Sequence, residues 1–131
     1  MATLTPAQRK LVEEPNLAHV ATLMKDGSPQ VTPVWVDCDD KHILINTAEG
    51  RQKPRNLARD GRIALSIASQ EDQQMYIQIR GRVVEITRQG AFEHISKLGK
   101  KYRGPDFVYP QRPDETRIII RIEPEHISGR A

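Results

Sequence analysis

Ile43-Leu44-Ile45-Asn46-Thr47, then Ala48-Glu49-Gly50-Arg51-Gln52-Lys53-Pro54-Arg55-Asn56-Leu57-Ala58-Arg59-Asp60-Gly61-Arg62, then Ile63-Ala64-Leu65: the reading of this stretch decides the fold. The β-branched residues of the first run mark a strand, and Ile63 to Ile67 marks another. One short helix fits between them. Pro54 suits its first position, where a missing N–H costs nothing, and Gly61 suits a left-handed exit. Gly50, Arg51, Gln52 and Lys53 then form the loop leading in. A helix start presents free N–H groups and the positive end of the peptide dipole, so an anion is stabilised there before any side chain acts. Arg51 can grip a phosphate with two parallel hydrogen bonds, Lys53 adds a compact charge, and Gly50 lets the backbone approach closely. The stretch is a candidate phosphate site; its composition also describes a solvated basic loop.

Outward from this stretch, the 131 residues are enough for one domain over 1–131 with a core that needs neither disulfide nor metal. A content of 37% hydrophobic and 28% charged residues is that of a soluble globular domain, and no apolar run is long enough to span a bilayer. The first ten residues carry no signal-peptide pattern, so a cytoplasmic protein is expected, and the single cysteine, Cys38, fits a reducing compartment. Cys38 falls in an expected turn, Asp37 to Asp40, with no histidine in local register, so no metal site is expected. A net charge of +3 favours acidic ligands but is small for a nucleic-acid binder, and 5% aromatic residues leave too few stacking platforms for one.

Thr5-Pro6-Ala7-Gln8 has the form of a capped helix start, predicting a helix over Pro6–Glu13 that Pro15 ends. Leu17 to Met24 and Gln30 to Val36 are strands joined at Lys25-Asp26-Gly27-Ser28, a hairpin signal. Pro33 lacks an N–H and puts its strand at an edge or bulge. His42 to Thr47 and Arg62 to Ser69 follow as strands. In Met75 to Thr87, Met75, Ile77, Ile79 and Val83 share one face and Tyr76, Gln78, Arg80 and Arg82 the other, with Gly81 marking a bulge or close approach. Gly90 to Tyr102 spaces Ala91, Ile95, Leu98 and Tyr102 as an amphipathic helix stopped by Gly104-Pro105. Phe107 and Tyr109 in the loop beyond it require something to pack on. Arg117 to Ile122, with three isoleucines in a row, reads as a central strand buried on both faces. The expected fold is mainly β (α+β): six to seven antiparallel strands closed on themselves, with short helices at the ends.

The hairpin from Ala21 to Val36, then Asn46-Thr47, the Gly50-Arg51-Gln52-Lys53-Pro54-Arg55-Asn56-Leu57 run and Gly61 to Ser66 together resemble the split β-barrel oxidoreductases that use flavin or deazaflavin, relatives of pyridoxamine 5'-phosphate oxidase with the FMN-binding split barrel fold. Within that group the chain is most similar to the branch dependent on coenzyme F420. The resemblance implies a homodimer with two cofactor sites between subunits. It assigns the cofactor phosphate to Arg51 and Lys53, with Asn46, Thr47 and Gly50 around it, and the ring system to Val34 and Trp35, flanked by Thr32 and Pro33. Asn56 would hold the loop or reach the cofactor. Tyr76, with Gln78 one step on, aligns where the oxidases bring a glutamine from the partner's long strand. Trp35 is equally readable as a core anchor.

The implied activity is transfer of a hydride from reduced deazaflavin to an activated double bond of a small organic substrate, the cofactor carrying the chemistry and the protein the orientation. Tyr76, Tyr102, Tyr109, His94 and His126 are the available proton donors, with no single choice among them and no catalytic residue assigned. The alternatives are an FMN-dependent oxidase-like enzyme and a non-catalytic flavin, deazaflavin or haem carrier. The basic set Arg51, Lys53, Arg55 and Arg59 favours the longer, more anionic deazaflavin over FMN.

Overall fold

A computed structural model describes residues 2–131. Its chain runs α1 (Pro6–Glu13), β1 (Ala18–Leu23), β2 (Pro29–Val34), β3 (Val36–Cys38), β4 (Ile43–Ala48), α2 (Gln52–Arg59), β5 (Arg62–Ala68), β6 (Tyr76–Thr87), α3 (Ala91–Arg103) and β7 (Arg117–Gly129). All seven strands pair antiparallel in the order β2-β1-β5-β6-β7-β4-β3. β2 and β3 are consecutive in the chain, separated by Trp35 alone, yet they are the two opposite edges of this sheet. The sheet must therefore curl until its edges almost meet, which makes the split barrel.

Local signals explain the elements. Thr5 Oγ1 accepts the Gln8 N–H at 3.2 Å while Gln8 Oε1 accepts the Thr5 N–H at 2.9 Å, a reciprocal cap on α1. Asp26 Oδ1 accepts both the N–H and the O–H of Ser28, and Gly27 takes φ +86°, which fixes the β1–β2 turn. Along β6, Ile77 and Ile79 are buried while Tyr76, Gln78 and Arg80 are exposed. Met75 does not join the buried face, because the strand starts one residue later and leaves it exposed. At Gly81 the β6–β7 register slips, and a Cβ there would collide with the carbonyl of Glu123. Pro124 sits opposite Gly81, where a ladder bond is forgone, so β7 continues past Ile122 to Gly129.

β4 and the first half of β7 are covered on both sides. Ile43, Ile45, Ile120 and Ile122 enter the barrel interior with Val20, Leu65, Ile67, Ile77 and Ile79. Leu44 and Ile119 face the other way, onto Ala91 at the start of α3. Each fully buried side chain of this size contributes about 1.5–3 kcal/mol.

Other expectations shift. Gln30 to Val36 is not one strand: the Val36 N–H donates to the Tyr102 hydroxyl at 3.0 Å, breaking the ladder at Trp35. Cys38 lies in β3 rather than a turn, half-buried, and burial raises its thiol pKa. The helix around Pro54 begins two residues early, with Arg51 as its N-cap. Pro54 stands third, where the N–H would still lack a partner within the helix. Gly61 is not a left-handed exit. Asp60 ends the helix in extended conformation, its carboxylate taking the backbone and side chain of Arg62, and the Gly61 carbonyl accepts the Val83 N–H at 2.8 Å.

Candidate functional site

An open cleft of about 500 Å³ lies where the barrel's two edges approach each other and α2 begins. Eight of the ten residues assigned from sequence line it: Thr32, Pro33, Val34 and Trp35 from β2 and the link to β3, Asn46 and Thr47 from the end of β4, and Arg51 and Lys53 from the start of α2. Gly50 and Asn56 are not on its wall. Gly50 adopts φ +86° in the turn behind it. Asn56 is wholly buried, donating to Thr22 Oγ1 at 3.0 Å and accepting from Gln52 Nε2 at 2.8 Å and Arg59 Nη2 at 3.1 Å, so it pins α2 to β1.

The two ends of the cleft differ chemically. Leu17, Val34, Trp35 and Ile95 make one apolar. The indole is half-buried, stacked on Tyr102 at a centroid distance of 5.4 Å and meeting the edge of Phe107 at 6.3 Å. It is thus both a cleft wall and a packing anchor. Gly99 makes room for Phe107, since a Cβ would stand 2.5 Å from the ring.

The other end is cationic. Arg51, Lys53 and Arg117 converge there with the first turn of α2. Lys53 has no carboxylate partner among the described residues, and burial, then the neighbouring Arg51, lowers its pKa. Arg55 and Arg59, counted with the basic set from sequence, are elsewhere: Arg55 donates to Gln52 and Arg59 to the Leu23 carbonyl at 2.7 Å. Their place is taken by Arg117, which sequence reasoning saw only as the start of a strand.

Arg117 is held from behind. Its Nε donates to Asn46 Oδ1 at 2.9 Å, and its Nη1 donates to the Tyr109 hydroxyl at 3.1 Å. Asn46 Nδ2 donates to the Ala91 carbonyl at 2.9 Å and to His94 Nδ1 at 3.0 Å. His94 Nδ1 is therefore the acceptor, and the proton on Nε2 faces Asp37 Oδ2 at 3.2 Å. Burial works against ionisation of Asp37, but His94, the Cys38 N–H and Lys97 outweigh it and hold its pKa at about 2. Burial, partly offset by Tyr109 and Glu115, lowers the pKa of Arg117 from its ordinary value.

Of the five donors considered from sequence, only Tyr109 lines the cleft. His94 is bound in the chain just described. Tyr102 donates to the Asn16 carbonyl at 2.7 Å and accepts from Val36; burial raises it to about 12. His126 is on the outer surface, where β7 pairs with Arg80, and Tyr76 and Gln78 are on the exposed face of β6, outside this cleft.

These features suit an elongated ligand with an apolar ring system and an anionic end. Thr32 Oγ1 adds a buried hydroxyl without a hydrogen-bond partner on the cleft wall. Among the described residues, no helix is long and apolar enough to cross a membrane.

Comparison with known proteins agrees with this geometry. No curated protein sequence matches the chain. Among solved structures, one named F420 reductase superposes with a TM-score of 0.85 at 29% identity, covering 95% of this chain and 98% of its own. A conserved hypothetical protein of Mycobacterium tuberculosis has a TM-score of 0.73 at 21% identity, covering 95% and 82%. HupZ of Group A Streptococcus has 0.69 at 24%, covering 95% and 91%; these last two share the fold. The sequence profile of the pyridoxamine 5'-phosphate oxidase family matches residues 4–131. With its seven-stranded split barrel and a cleft suited to a flavin or deazaflavin, the chain belongs to the pyridoxamine 5'-phosphate oxidase family of oxidoreductases.

Proposed function

We propose that this protein is a coenzyme F420-dependent oxidoreductase, working as a homodimer and reducing an activated double bond of a small organic substrate. The observation that carries the reading is the cationic end of the cleft: Lys53, partly desolvated and without a carboxylate, beside Arg51 and Arg117 at the start of α2. A desolvated cation without a counterion is costly, and an anionic ligand removes that cost. The 29% likeness to a structure named F420 reductase supports the deazaflavin.

When bound, the reduced deazaflavin supplies the hydride. The chain's own residues bind and orient. Arg51 and Lys53 would hold the phosphate, Asn46, through Arg117, would keep the cationic wall in place, and Pro33, Val34 and Trp35 would flank the rings. Tyr109 directs its proton to Glu115 Oε1 at 3.1 Å and is not free to give it to a product. Tyr76 and Gln78 on the exposed face of β6, with Val84 and Ile86 also uncovered further along, favour that strand as the face a second copy would cover.

Titration at Trp35, the only indole, tests the cofactor. Micromolar quenching by the deazaflavin with weak binding of FMN is expected; tight FMN binding would move the protein to the flavin branch. The double substitution Arg51→Ala, Lys53→Ala should weaken binding at least tenfold, and unchanged affinity would remove the phosphate assignment. Sedimentation should give twice the chain mass of 14.9 kDa.

A further inference from the structure

A chain of buried hydrogen bonds leads from the cationic end of the cleft across to β3, and only one arrangement of protons satisfies it. Arg117, with 7% of its side chain exposed, donates its Nε–H to Asn46 Oδ1. A guanidinium has no acceptor, so the Asn46 oxygen must face it. The Ala91 carbonyl has no donor, so the Asn46 nitrogen must face that. The second proton of this nitrogen then points at His94 Nδ1, 3.0 Å away, which has to present a lone pair. The His94 side chain is 9% exposed, and its other nitrogen faces the Asp37 carboxylate. That carboxylate is held in turn by the Cys38 N–H at 2.9 Å and by Lys97 at 3.4 Å.

We propose that His94 is a positioning residue for the anion site: as the neutral Nε2–H tautomer it locks the Asn46 amide behind Arg117, and on taking a second proton it releases the guanidinium. The inference rests on the anion-binding role that the proposed function gives the cationic end. A proton on Nδ1 would set N–H against N–H. Asn46 relieves that contact by turning its amide over, which presents its nitrogen to Arg117 and its oxygen to the Ala91 carbonyl, two new mismatches. A held Arg117 and a charged His94 are therefore alternatives. While Nε and Nη1 are held by Asn46 and Tyr109, Nη2 has no partner among the described residues, and loss of Asn46 loses the direction in which Arg117 is offered to a ligand. Ordinary electrostatics gives the opposite sign, since acid adds positive charge and favours anions. The charge gained by His94 is matched by Asp37 at 3.2 Å. Lys97 and Lys101 of α3 also act on Asp37, Arg117 of β7 stands behind Asn46, and Glu115 lies 3.6 Å from Arg117. Lys101, lowered by burial to about 8, completes its protonation in acid, and Glu115 can only lose charge. Both changes favour an anion, so a loss of affinity in acid is specific to His94.

The test uses sulfate, whose charge is constant from about pH 8 to about pH 5, the span in which an imidazole ordinarily changes charge. Calorimetric titration of the whole wild-type protein should show affinity falling at least about fivefold from the upper pH to the lower, as a charge-assisted contact is lost. His94→Gln offers a carbonyl to Asn46 and an amide N–H to Asp37 but no titrating proton. Its affinity should match wild type within about threefold at the upper pH and should not fall at the lower, a rescue that loss of packing alone would not produce. Nitrogen NMR of the wild-type imidazole at the upper pH should show Nε2 protonated and Nδ1 bare. A smaller fall or a gain in acid, an Nδ1–H tautomer, a fall in His94→Gln equal to that of wild type, or no sulfate binding at the upper pH overturns the inference. The wild-type measurements decide it even if His94→Gln does not fold. Sulfate carries no ring system, so failure to bind the deazaflavin would refute the cofactor reading and leave this one standing.

Discussion

Replacing Asn56 by alanine separates two roles that its position in the chain leaves open, holding the helix and touching the ligand. The residue is 0% exposed, and its amide ties β1, through Thr22 Oγ1, to both ends of α2, the first turn through Gln52 and the last through Arg59. Two neutral hydrogen bonds contribute about 1 kcal/mol each. Thr22, itself buried, then loses its donor, which adds about 1–2 kcal/mol, and the Arg59 bond is exposed enough to add little. The sum is about 3–4 kcal/mol, a large part of the stability expected for a domain of this size. Urea unfolding should show that loss, with a melting temperature lower by about 10 °C. Deazaflavin affinity, measured well below the new melting point, should fall by less than about threefold, because Arg51 and Lys53 lie on the turn that Asn56 anchors while the amide itself is off the cleft wall. A stability loss under 1 kcal/mol, or a hundredfold loss of affinity with stability intact, would refute this account.

Further outcomes follow from the same contacts. Gly81→Ala would drive a Cβ into the Glu123 carbonyl at the β6–β7 bulge, so chemical denaturation should register a loss of about 3 kcal/mol or more; a neutral result would mean the bulge is adjustable. Gly99→Ala would gain up to about 1 kcal/mol of helix propensity but push Phe107 off α3 and away from Trp35, so stability should change little while Trp35 emission shifts to the red. A full gain with unaltered emission would contradict it. Lys101 donates to the Val12 carbonyl at 2.6 Å and the Val36 carbonyl at 2.7 Å, and burial lowers it from 10.5 to about 8. Between those values the unfolded chain binds more protons than the folded one, so stability rises with pH in that window. After allowance for solvent screening, wild type should gain on the order of 1 kcal/mol from pH 8 to 9.5 relative to Lys101→Met, and equal slopes would refute the assignment.

What the sequence made legible is what neighbours in the chain decide. Asp26 and Gly27 fix a hairpin by hydrogen bonds within three residues, Thr5 and Gln8 cap each other, and the alternation along β6 follows from strand geometry. Gly81 was legible as a bulge because a strand glycine has few other reasons to be there. The misses depend on distant partners. Trp35 interrupts a strand because Tyr102, 66 residues from Val36, claims the amide that would continue it. Arg117 joins the site through Asn46, 71 residues away, and no local pattern marks an arginine at a strand's start as a cleft residue. His94 follows the same logic, since its role depends on Asn46 and Asp37, 48 and 57 residues earlier. Burial of Thr32, Val34 and Trp35 along one cleft wall was accessible only through family resemblance, because period-2 alternation in a short edge strand does not say what faces it.

The single residue between β2 and β3 has a thermodynamic consequence for the empty and loaded protein. The sheet's two edges are held together not by strand pairing, since β2 and β3 do not pair with each other, but by the one-residue link at Trp35 and the contacts around Trp35 and Tyr102. A ligand that spans Trp35 and Lys53 binds only while those edges are together. At a free concentration one hundred times its dissociation constant, it would make opening harder by about 2.7 kcal/mol. Amide exchange at Val36 should then slow by roughly a hundredfold on saturation, wherever opening at the seam limits exchange. Cofactor supply would thereby set how long the barrel stays shut, and the protein's lifetime against proteolysis would report the cofactor level around it.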